Sequence, residues 1–550
     1  MAWANADELT VLYSLQATSV APVPVRLRWV SAPAAARPSR KRIVRSGFVF
    51  SARQRVITAH EAAVAVRASD PAIAFRFAGG RFESRWIRRV VSPGQPLELA
   101  FSIRFAVNVD PRPAGVTARR ARRAISGAVT RTERAYAGLP SLPPRFQRFH
   151  PLVLKAAGTL QTLQFVDRDD AGRRRLTVHA GKCGVSSTWF WDSAFSLGAL
   201  GVAGHAPAAF GAAAALLDGV GPRGEPPVKF RGGKYEMAYQ QPILAWGLGL
   251  LLEQCPAGAF LERSYAPLCR YVRHWLGDCD ADGNGLAEFP ARGLAWDDAY
   301  RWHTGFPIGF GRKGPWWRKD WGRMQAGDFE SVDTNTHLYL ECLTLARFAR
   351  RLGRPADARD WAARARRLAR LINTRLFDSR TGLYQDRNIR DGRFTGMVTP
   401  ANFMPVFAGI APPDIGRRLC SRYLLDPRHF YTALPFPTLD RSHPAFRSGG
   451  FLWSPPQHPG ALCNQAYWHG RTWPHVSYWM VGALHRAGLA AEADAAAERI
   501  LDAMSRSEAI YECYDSLTGQ GNGHPEFLWS SAAVLYLAYQ RYRGSPVGRV

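Results

Sequence analysis

Residues 333–376 read Asp333-Thr-Asn-Thr-His-Leu-Tyr-Leu-Glu-Cys-Leu-Thr-Leu-Ala-Arg-Phe-Ala-Arg-Arg-Leu352, then Gly353-Arg354, then Pro355-Ala-Asp-Ala-Arg-Asp-Trp-Ala-Ala-Arg-Ala-Arg-Arg-Leu-Ala-Arg-Leu-Ile-Asn-Thr-Arg-Leu376. Apolar residues recur at helical spacing in both runs, and Gly and Pro sit where one helix must stop and the next must start. This is a helical hairpin. Similar runs appear near 150–165, 190–202, 206–219, 238–254, 259–276, 412–424, 473–488, 490–506 and 528–541. Eleven or twelve helices met in successive pairs, with no fixed sequence period, predict a toroid of six hairpins, the (α/α)6 barrel.

The first hundred residues follow a different rule. Val23–Val30, Gly47–Phe50, Ile73–Phe77 and Leu97–Val107 alternate or cluster β-branched and aromatic residues between Gly, Pro, Ser and Asp turns. The expectation is a smaller N-terminal β-sandwich domain over 1–107, an Arg- and Pro-rich linker over 108–149, and the barrel over 150–550.

The totals narrow the function classes. No run of about 18 apolar residues is present, so no membrane span is expected. The first ten residues, MAWANADELT, lack the charged and apolar regions of a secretory signal. Eight scattered cysteines without a C-x-x-C pair suit reduced thiols, and the expected location is cytoplasmic. The formal charge of +28 raises nucleic-acid binding. Yet the excess is nearly all arginine, with lysine confined to Lys41, Lys155, Lys182, Lys229, Lys234, Lys313 and Lys319. Arg119–Arg123 lies in the linker, and Arg350, Arg351 and Arg364–Arg370 read as solvated helix faces. No nucleic-acid partner is expected.

The chemistry sits in aromatic loops that run into helices. Trp296-Asp-Asp-Ala-Tyr-Arg-Trp302 places Asp297 and Asp298 between Trp296 and Tyr300, with Arg301 following. Rings stack on the apolar faces of a pyranose, and an apolar wall raises a carboxyl's pKa. Taken alone, the stretch reads more readily as an exposed turn with stray acids and a Trp that belongs to the core. Trp189-Phe190-Trp191-Asp192 opens a helix, where Asp192 is either a cap or a sugar ligand. Gln240 precedes Pro242, a helix-start signal. In Tyr467-Trp468-His469-Gly-Arg471-Thr-Trp473-Pro474, three rings, a His and an Arg surround a glycine. Ile510-Tyr511-Glu512-Cys-Tyr514 holds Glu512 between tyrosines, and Asp515 heads a structural turn. Asp333 and Asn335 read as a helix cap with its supporting hydrogen bonds.

Asp278-Cys-Asp-Ala-Asp-Gly-Asn-Gly285 spaces its acids like a calcium loop. Counting from Asp278, its twelfth position is Phe289, and Glu288 falls one place early. An acidic Gly turn is the reading preferred, with no metal site and no cofactor expected.

Six motifs in fixed order, W-F-W-D-S-A-F (189–195), Q-Q-P-I-L-A (240–245), W-D-D-A-Y-R-W (296–302), L-F-D-S-R-T-G-L-Y-Q-D (376–386), Y-W-H-G-R-T-W-P (467–474) and Y-E-C-Y-D-S-L-T-G (511–519), resemble glycoside hydrolase family 63 and its trehalase-like relatives. The resemblance covers roughly 135–541. It implies hydrolysis of α-glycosides with inversion, Asp297 as general acid and Glu512 as general base. It further implies Asp192, Gln240, Trp468 and Trp473 around the −1 sugar. Phe190, Trp191, Trp296, Asp298, Arg301, His469 and Tyr511 complete the expected substrate-binding set. The sequence departs from the family pattern at Asp298-Ala299-Tyr300, His469 and Arg471-Thr472, on the leaving-group side.

The expectation is an inverting glycosidase for a small α-glucoside or α-mannoside. Arg301, Arg312, Arg318 and Arg471 could recognise an acidic aglycone such as glycerate. The competing readings are a debranching-type glucosidase or epimerase on the same toroid, a catalytically altered carbohydrate-binding protein, and an arginine-driven nucleic-acid binder.

Overall fold

The computed structural model of the chain describes residues 136–168, 172, 174–181, 185–289, 329–449 and 468–544, the single positions 123, 130 and 133, and the backbone of ten strands between residues 2 and 107. The chain divides into two compact units, Met1–Ala137 and Gly138–Val550.

The first unit is built of β1 (Ala2–Ala4), β2 (Glu8–Leu15), β3 (Val23–Leu27), β4 (Pro38–Val44), β5 (Gly47–Arg53), β6 (Glu61–Ala68), β7 (Phe75–Ala78), β8 (Arg81–Ser84), β9 (Ile87–Val91) and β10 (Leu97–Val107). Six of these form an antiparallel sheet in the order β1-β2-β10-β6-β5-β4. The pairs β3–β9 and β7–β8 lie outside it. The longest strand, β10, has the period-two pattern Leu-Glu-Leu-Ala-Phe-Ser-Ile-Arg-Phe-Ala-Val, the alternation of an antiparallel strand with one apolar face, and it pairs with β2 on one side and β6 on the other.

The second unit is helical. Its α-helices among the described residues are α1 (His150–Thr162), α2 (Phe190–Val202), α3 (Ala206–Asp218), α4 (Leu244–Gln254), α5 (Gly258–Gly277), α6 (Val332–Arg351), α7 (Pro355–Arg375), α8 (Met404–Phe407), α9 (Pro413–Leu419), α10 (Pro474–Arg486), α11 (Ala490–Ser505) and α12 (Leu528–Ala538). The even-numbered helices touch in a closed circuit, α2–α4–α6–α8–α10–α12 and back to α2. Each odd-numbered helix lies against at least one of them.

Composition follows this division. In α12, Leu528 through Ala538 are all buried, and in α2 every residue but Gly201 is. A helix apolar on all sides must be surrounded. By contrast α7 buries only Ala358, Trp361, Ala365, Leu368 and Ile372, a single stripe at spacings of three and four. Its arginines cover the rest, as the sequence pattern predicted. Close approach of α2 and α4 depends on Gly247: a Cβ there would stand 1.9 Å from the Ala194 carbonyl oxygen.

Buried polar groups seam the circuit. Tyr536 of α12 donates to the Phe195 carbonyl at 2.9 Å, and the Ala199 N–H donates to its hydroxyl at 3.1 Å. Glu341 of α6, wholly buried, accepts the backbone N–H groups of Ala245 and Trp246 at 2.9 and 2.7 Å. Those are orphan donors in the first turn of α4, so one helix caps the next.

Several local expectations are corrected. The helix anticipated from 238 starts at Leu244, because Pro242 lies two residues outside it and Lys234–Met237 pairs as a strand. The run 412–424 is α9 continued by a π-turn at Cys420–Leu424. The short α8, preceded by a 3-10 turn at Pro400–Phe403, was not anticipated. Pro144–Phe149, within the anticipated linker, is a 3-10 helix whose Phe146 and Phe149 are buried in the helical unit.

Candidate active site

Five described segments share one topological place: each leads into an even-numbered helix. Trp189 precedes α2, Gln240 precedes α4, Ser331 precedes α6, Trp468–Trp473 precedes α10, and Glu512 precedes α12. N–H groups of a first helical turn are unpaired within the helix and carry partial positive charge, which favours carboxylates nearby. A circuit of such helix starts is therefore a suitable frame for acids.

Glu512 lies on the strand Tyr511–Tyr514, which pairs with Gly521–Pro525. Only 2% of its surface is exposed. Its Oε2 accepts the His524 backbone N–H at 3.1 Å. Its carbonyl accepts the indole N–H of Trp529 at 3.3 Å and the Ser530 hydroxyl at 3.2 Å, tying the strand to the start of α12. The cross-strand neighbour Gly523 has φ +77°, and a Cβ there would stand 2.5 Å from the Glu512 Oε2. Glycine is thus required beside this carboxylate twice over, for its backbone angle and for its lack of bulk.

The Trp468–Trp473 loop is bonded to that same strand. Thr472 and Tyr514 exchange both backbone hydrogen bonds, each 2.9 Å. The two motifs, some forty residues apart in sequence, thereby become neighbours. Trp468 and Trp473 stack with ring centroids 3.9 Å apart and planes 5° from parallel. Trp191 stacks on Trp468 at 5.9 Å, and Trp529 meets Trp473 at 5.2 Å edge-on. The backbone N–H of Trp191 donates to the Gln240 Oε1 at 2.9 Å. Asp192 is buried in the first turn of α2, with Trp189 as N-cap, so it is not the capping residue. The geometry thus connects Gln240, Trp191, Trp468 and Trp473, joins the backbone of the Glu512 strand to them through Trp529 and Thr472, and sets Asp192 next to Trp191 in the first turn of α2.

Other expected members stand apart. Phe190 is wholly buried against Tyr271 of α5, ring centroids 5.4 Å apart, in the packing between helices. Tyr511 occupies the opposite strand face from Glu512 by alternation. Its hydroxyl donates to Glu508 at 2.7 Å, and its ring covers Gly521. His469 is half-buried in the turn before Gly470, and its carbonyl accepts the Arg447 N–H. Arg471 is buried, donates to the Gly449 carbonyl at 3.2 Å and lies beside the Cys513 thiol. Trp296, Asp297, Asp298, Arg301, Arg312 and Arg318 lie outside the described residues.

Asp333 and Asn335 prove to be more than a cap. Asp333, in the first turn of α6, accepts the Gln241 amide at 2.8 Å and the Ser331 hydroxyl at 2.6 Å. Asn335 clamps both backbone groups of Ala287 at 2.8 Å. The carboxylate that caps α6 is Asp386, which accepts the Val332 N–H at 2.8 Å. Asp515 holds its own turn through the Leu517 N–H, as expected. Sequence reasoning missed Trp529, His524 and His475. His475, also wholly buried, stacks on Trp529 at 4.1 Å, and burial drives its imidazole far toward the neutral form. Trp529 stands one residue into a helix, as the flagged Trp191 does, and that was the available signal.

Comparison with known proteins identifies the family. Residues 186–530 match the mannosylglycerate hydrolase MGH1-like glycoside hydrolase domain. The chain belongs to that family. It is a member of glycoside hydrolase family 63, as the ordered motifs implied. Among its relatives is a mannosylglycerate hydrolase of Rubrobacter radiotolerans, 29% identical over 194 residues, 35% of this chain and 39% of the relative. Another is mannosylglycerate hydrolase MGH1 of Selaginella moellendorffii, 29% identical over 183 residues, 33% of this chain and 32% of the relative. The chain thus aligns with well under half the length of these relatives. A solved family 63 mannosylglycerate hydrolase from Thermus thermophilus, in complex with Tris and D-glycerate, superposes with a TM-score of 0.55 at 22% identity, covering 70% of this chain and 99% of that one. That likeness establishes a mainly helical, family 63-like fold. Among the described residues no helix is long and apolar enough to cross a membrane.

Proposed function

We propose that the chain is an inverting glycoside hydrolase for a small α-glycoside with an acidic aglycone, of the mannosylglycerate kind. Glu512 would be the general base and Asp297 the general acid. The observation that carries the reading is Glu512 itself, a buried carboxylate held by a backbone donor, on a strand bonded to the Trp468–Trp473 loop, in a chain of the MGH1-like family. Inversion needs two carboxyl groups about 6.5–9.5 Å apart, with a water between base and anomeric carbon. Ionised Glu512 would take a proton from that water while Asp297 protonates the departing oxygen. Asp192 and Gln240 would hold sugar hydroxyls, and the indoles would form the apolar wall.

The architecture that supports this is an (α/α)6 toroid, for which the closed circuit of even helices speaks, preceded by a β-sandwich. A domain of 1–107, a connector of 108–149 and a catalytic domain of 150–550 remain its working division. The partner is a small carbohydrate, without nucleic acid or membrane. The described cysteines are all free thiols, which suits the cytoplasm.

The test is hydrolysis of α-mannosylglycerate, α-glucosylglycerate and neutral α-disaccharides followed by NMR. The expected result is turnover of the glycerates, with the β-anomer appearing first. Initial α-anomer would sink inversion, and preference for neutral disaccharides would sink the acidic aglycone. Asp297→Asn should abolish turnover where Asp298→Asn retains some; the reverse would exchange their roles.

A further inference from the structure

The acidic turn after α5 is not the one that counting from Asp278 describes. Asp278 is diverted: its Oδ2 meets the His274 Nδ1 at 2.7 Å, one helical turn back. The turn instead starts at Asp280, whose Oδ2 accepts the Gly285 N–H at 2.9 Å. Asp282 and Asn284 follow at the third and fifth places, with Gly285 at the sixth.

One oxygen from each of Asp280, Asp282 and Glu288 lies within 4.8 Å of the others. Such a cluster would mean little if every oxygen were engaged within the protein, and two are not. Glu288 is 97% buried, since only 3% of its surface is exposed. Its Oε2 accepts the Ala281 N–H at 2.6 Å, and its Oε1, shut off from solvent, has no hydrogen-bond partner. The Asp280 Oδ1 is likewise buried and unpartnered. A buried carboxylate oxygen without a donor or counter-charge is costly, and binding a cation removes the cost. The neighbouring Glu330 differs, because Arg375 and Arg387 approach its oxygens at 3.2 and 3.7 Å. Among the described residues no arginine or lysine pairs with the trio.

We propose that Asp280, Asp282 and Glu288 form a site for a hard divalent cation, calcium in particular. Calcium takes oxygen ligands at about 2.3–2.6 Å, so oxygens up to about 5 Å apart can share one ion. The donor set is all oxygen; the adjacent Cys279 thiol is not part of it, which disfavours zinc and other softer metals. The location gives the ion a purpose. Glu288 and Glu330 are paired by a backbone bridge, and Asn284 donates its side-chain amide to Glu330. The stretch bearing Asp297 leaves after Phe289 and returns at Phe329, so both of its stems are gathered beside this cluster. An ion here would fasten those stems together and to the start of α6.

The test uses the full chain stripped with chelator, then equilibrium dialysis against radioactive calcium and thermal unfolding with added CaCl2 or MgCl2. The expected result is one calcium per chain, a midpoint that rises with calcium concentration, and a smaller response to magnesium. Glu288→Gln and Asp282→Asn should each weaken binding about tenfold or more, while Asp278→Asn should leave it unchanged. Asp282 is exposed, so its variant keeps the test open should Glu288→Gln fail to fold. Absence of saturable binding below about 1 mM calcium, or full binding by the Asp282→Asn protein, would overturn the proposal.

Discussion

Glu341 and Glu288 are both buried glutamates, and the protein treats them in opposite ways. Burial pushes the Glu341 carboxyl up to about 8 and the Glu288 carboxyl up to about 7. Glu341 offsets this with two N–H donors from the first turn of α4. Glu288 has one donor, from Ala281, and an oxygen left over. A carboxylate answered wholly by backbone is a fastening between helices. One with an unanswered oxygen is available to something not yet bound. Glu512 must be sorted against these two, since it also receives a backbone donor yet lies on a strand bonded to the Trp468–Trp473 loop rather than on a helix.

The sharpest way to sort it is Glu512→Gln, which keeps shape and removes the base. Turnover should fall by about 10^3-fold or more, with the unfolding midpoint nearly unchanged. If Glu512 were a fastening like Glu341, the same change would lower the midpoint and leave turnover per folded molecule intact. Steady-state kinetics beside a urea melt separates the two outcomes.

Glu341→Ala is the converse case. It strands the Ala245 and Trp246 N–H groups in the core and leaves a small void. The expected loss is roughly 2–5 kcal/mol of unfolding free energy, read from urea denaturation, with turnover of the folded fraction preserved. A loss under about 0.5 kcal/mol would mean that these hydrogen bonds do not fasten α4 to α6.

What the sequence made legible divides along the same line. The odd helices announced themselves because half of each faces water, so α7 shows its stripe of Ala358, Trp361, Ala365, Leu368 and Ile372 plainly. Even helices such as α2 and α12 are buried on almost every side and reveal length but not orientation. The four-residue α8 carries no period at all. In the site, Glu512 stood out as an acid among tyrosines, as did Trp468 and Trp473 as paired indoles. What no pattern could supply was side-chain competition. His274 draws Asp278 out of the acidic turn, and Pro242, a sound start signal, falls outside a helix that Glu341 caps from elsewhere.

Gly523→Ala tests how narrowly Glu512 is held. The added methyl would fall 2.5 Å from the Glu512 Oε2 at a backbone angle of φ +77°. The carboxylate must move, and misplacement of this order costs roughly 10–100-fold in kcat. KM should change little, because the ring wall at Trp468 and Trp473 is untouched. Unchanged kcat would show that the position of this carboxylate is not critical, and would weaken its assignment as base.

The last test is a pH dependence. The folded protein raises the Glu341 carboxyl from 4.5 to about 8, with burial as the cause and the two N–H donors working against it. A group whose folded pKa is raised contributes stability that is whole below its unfolded pKa and is lost as pH rises through the folded value. Wild-type stability should therefore lose a component between about pH 4.5 and about pH 8. Glu341→Gln has no proton to release and should lack that component. Its deficit relative to wild type should accordingly be smaller at about pH 8.5 than at about pH 5, as read from urea midpoints. The two α4 donors favour the ionised form, and if they outweighed burial the deficit would instead grow with pH. That result would place Glu341 with carboxylates held charged by a helix start, and would leave Glu288 as the buried glutamate whose charge the protein does not itself answer.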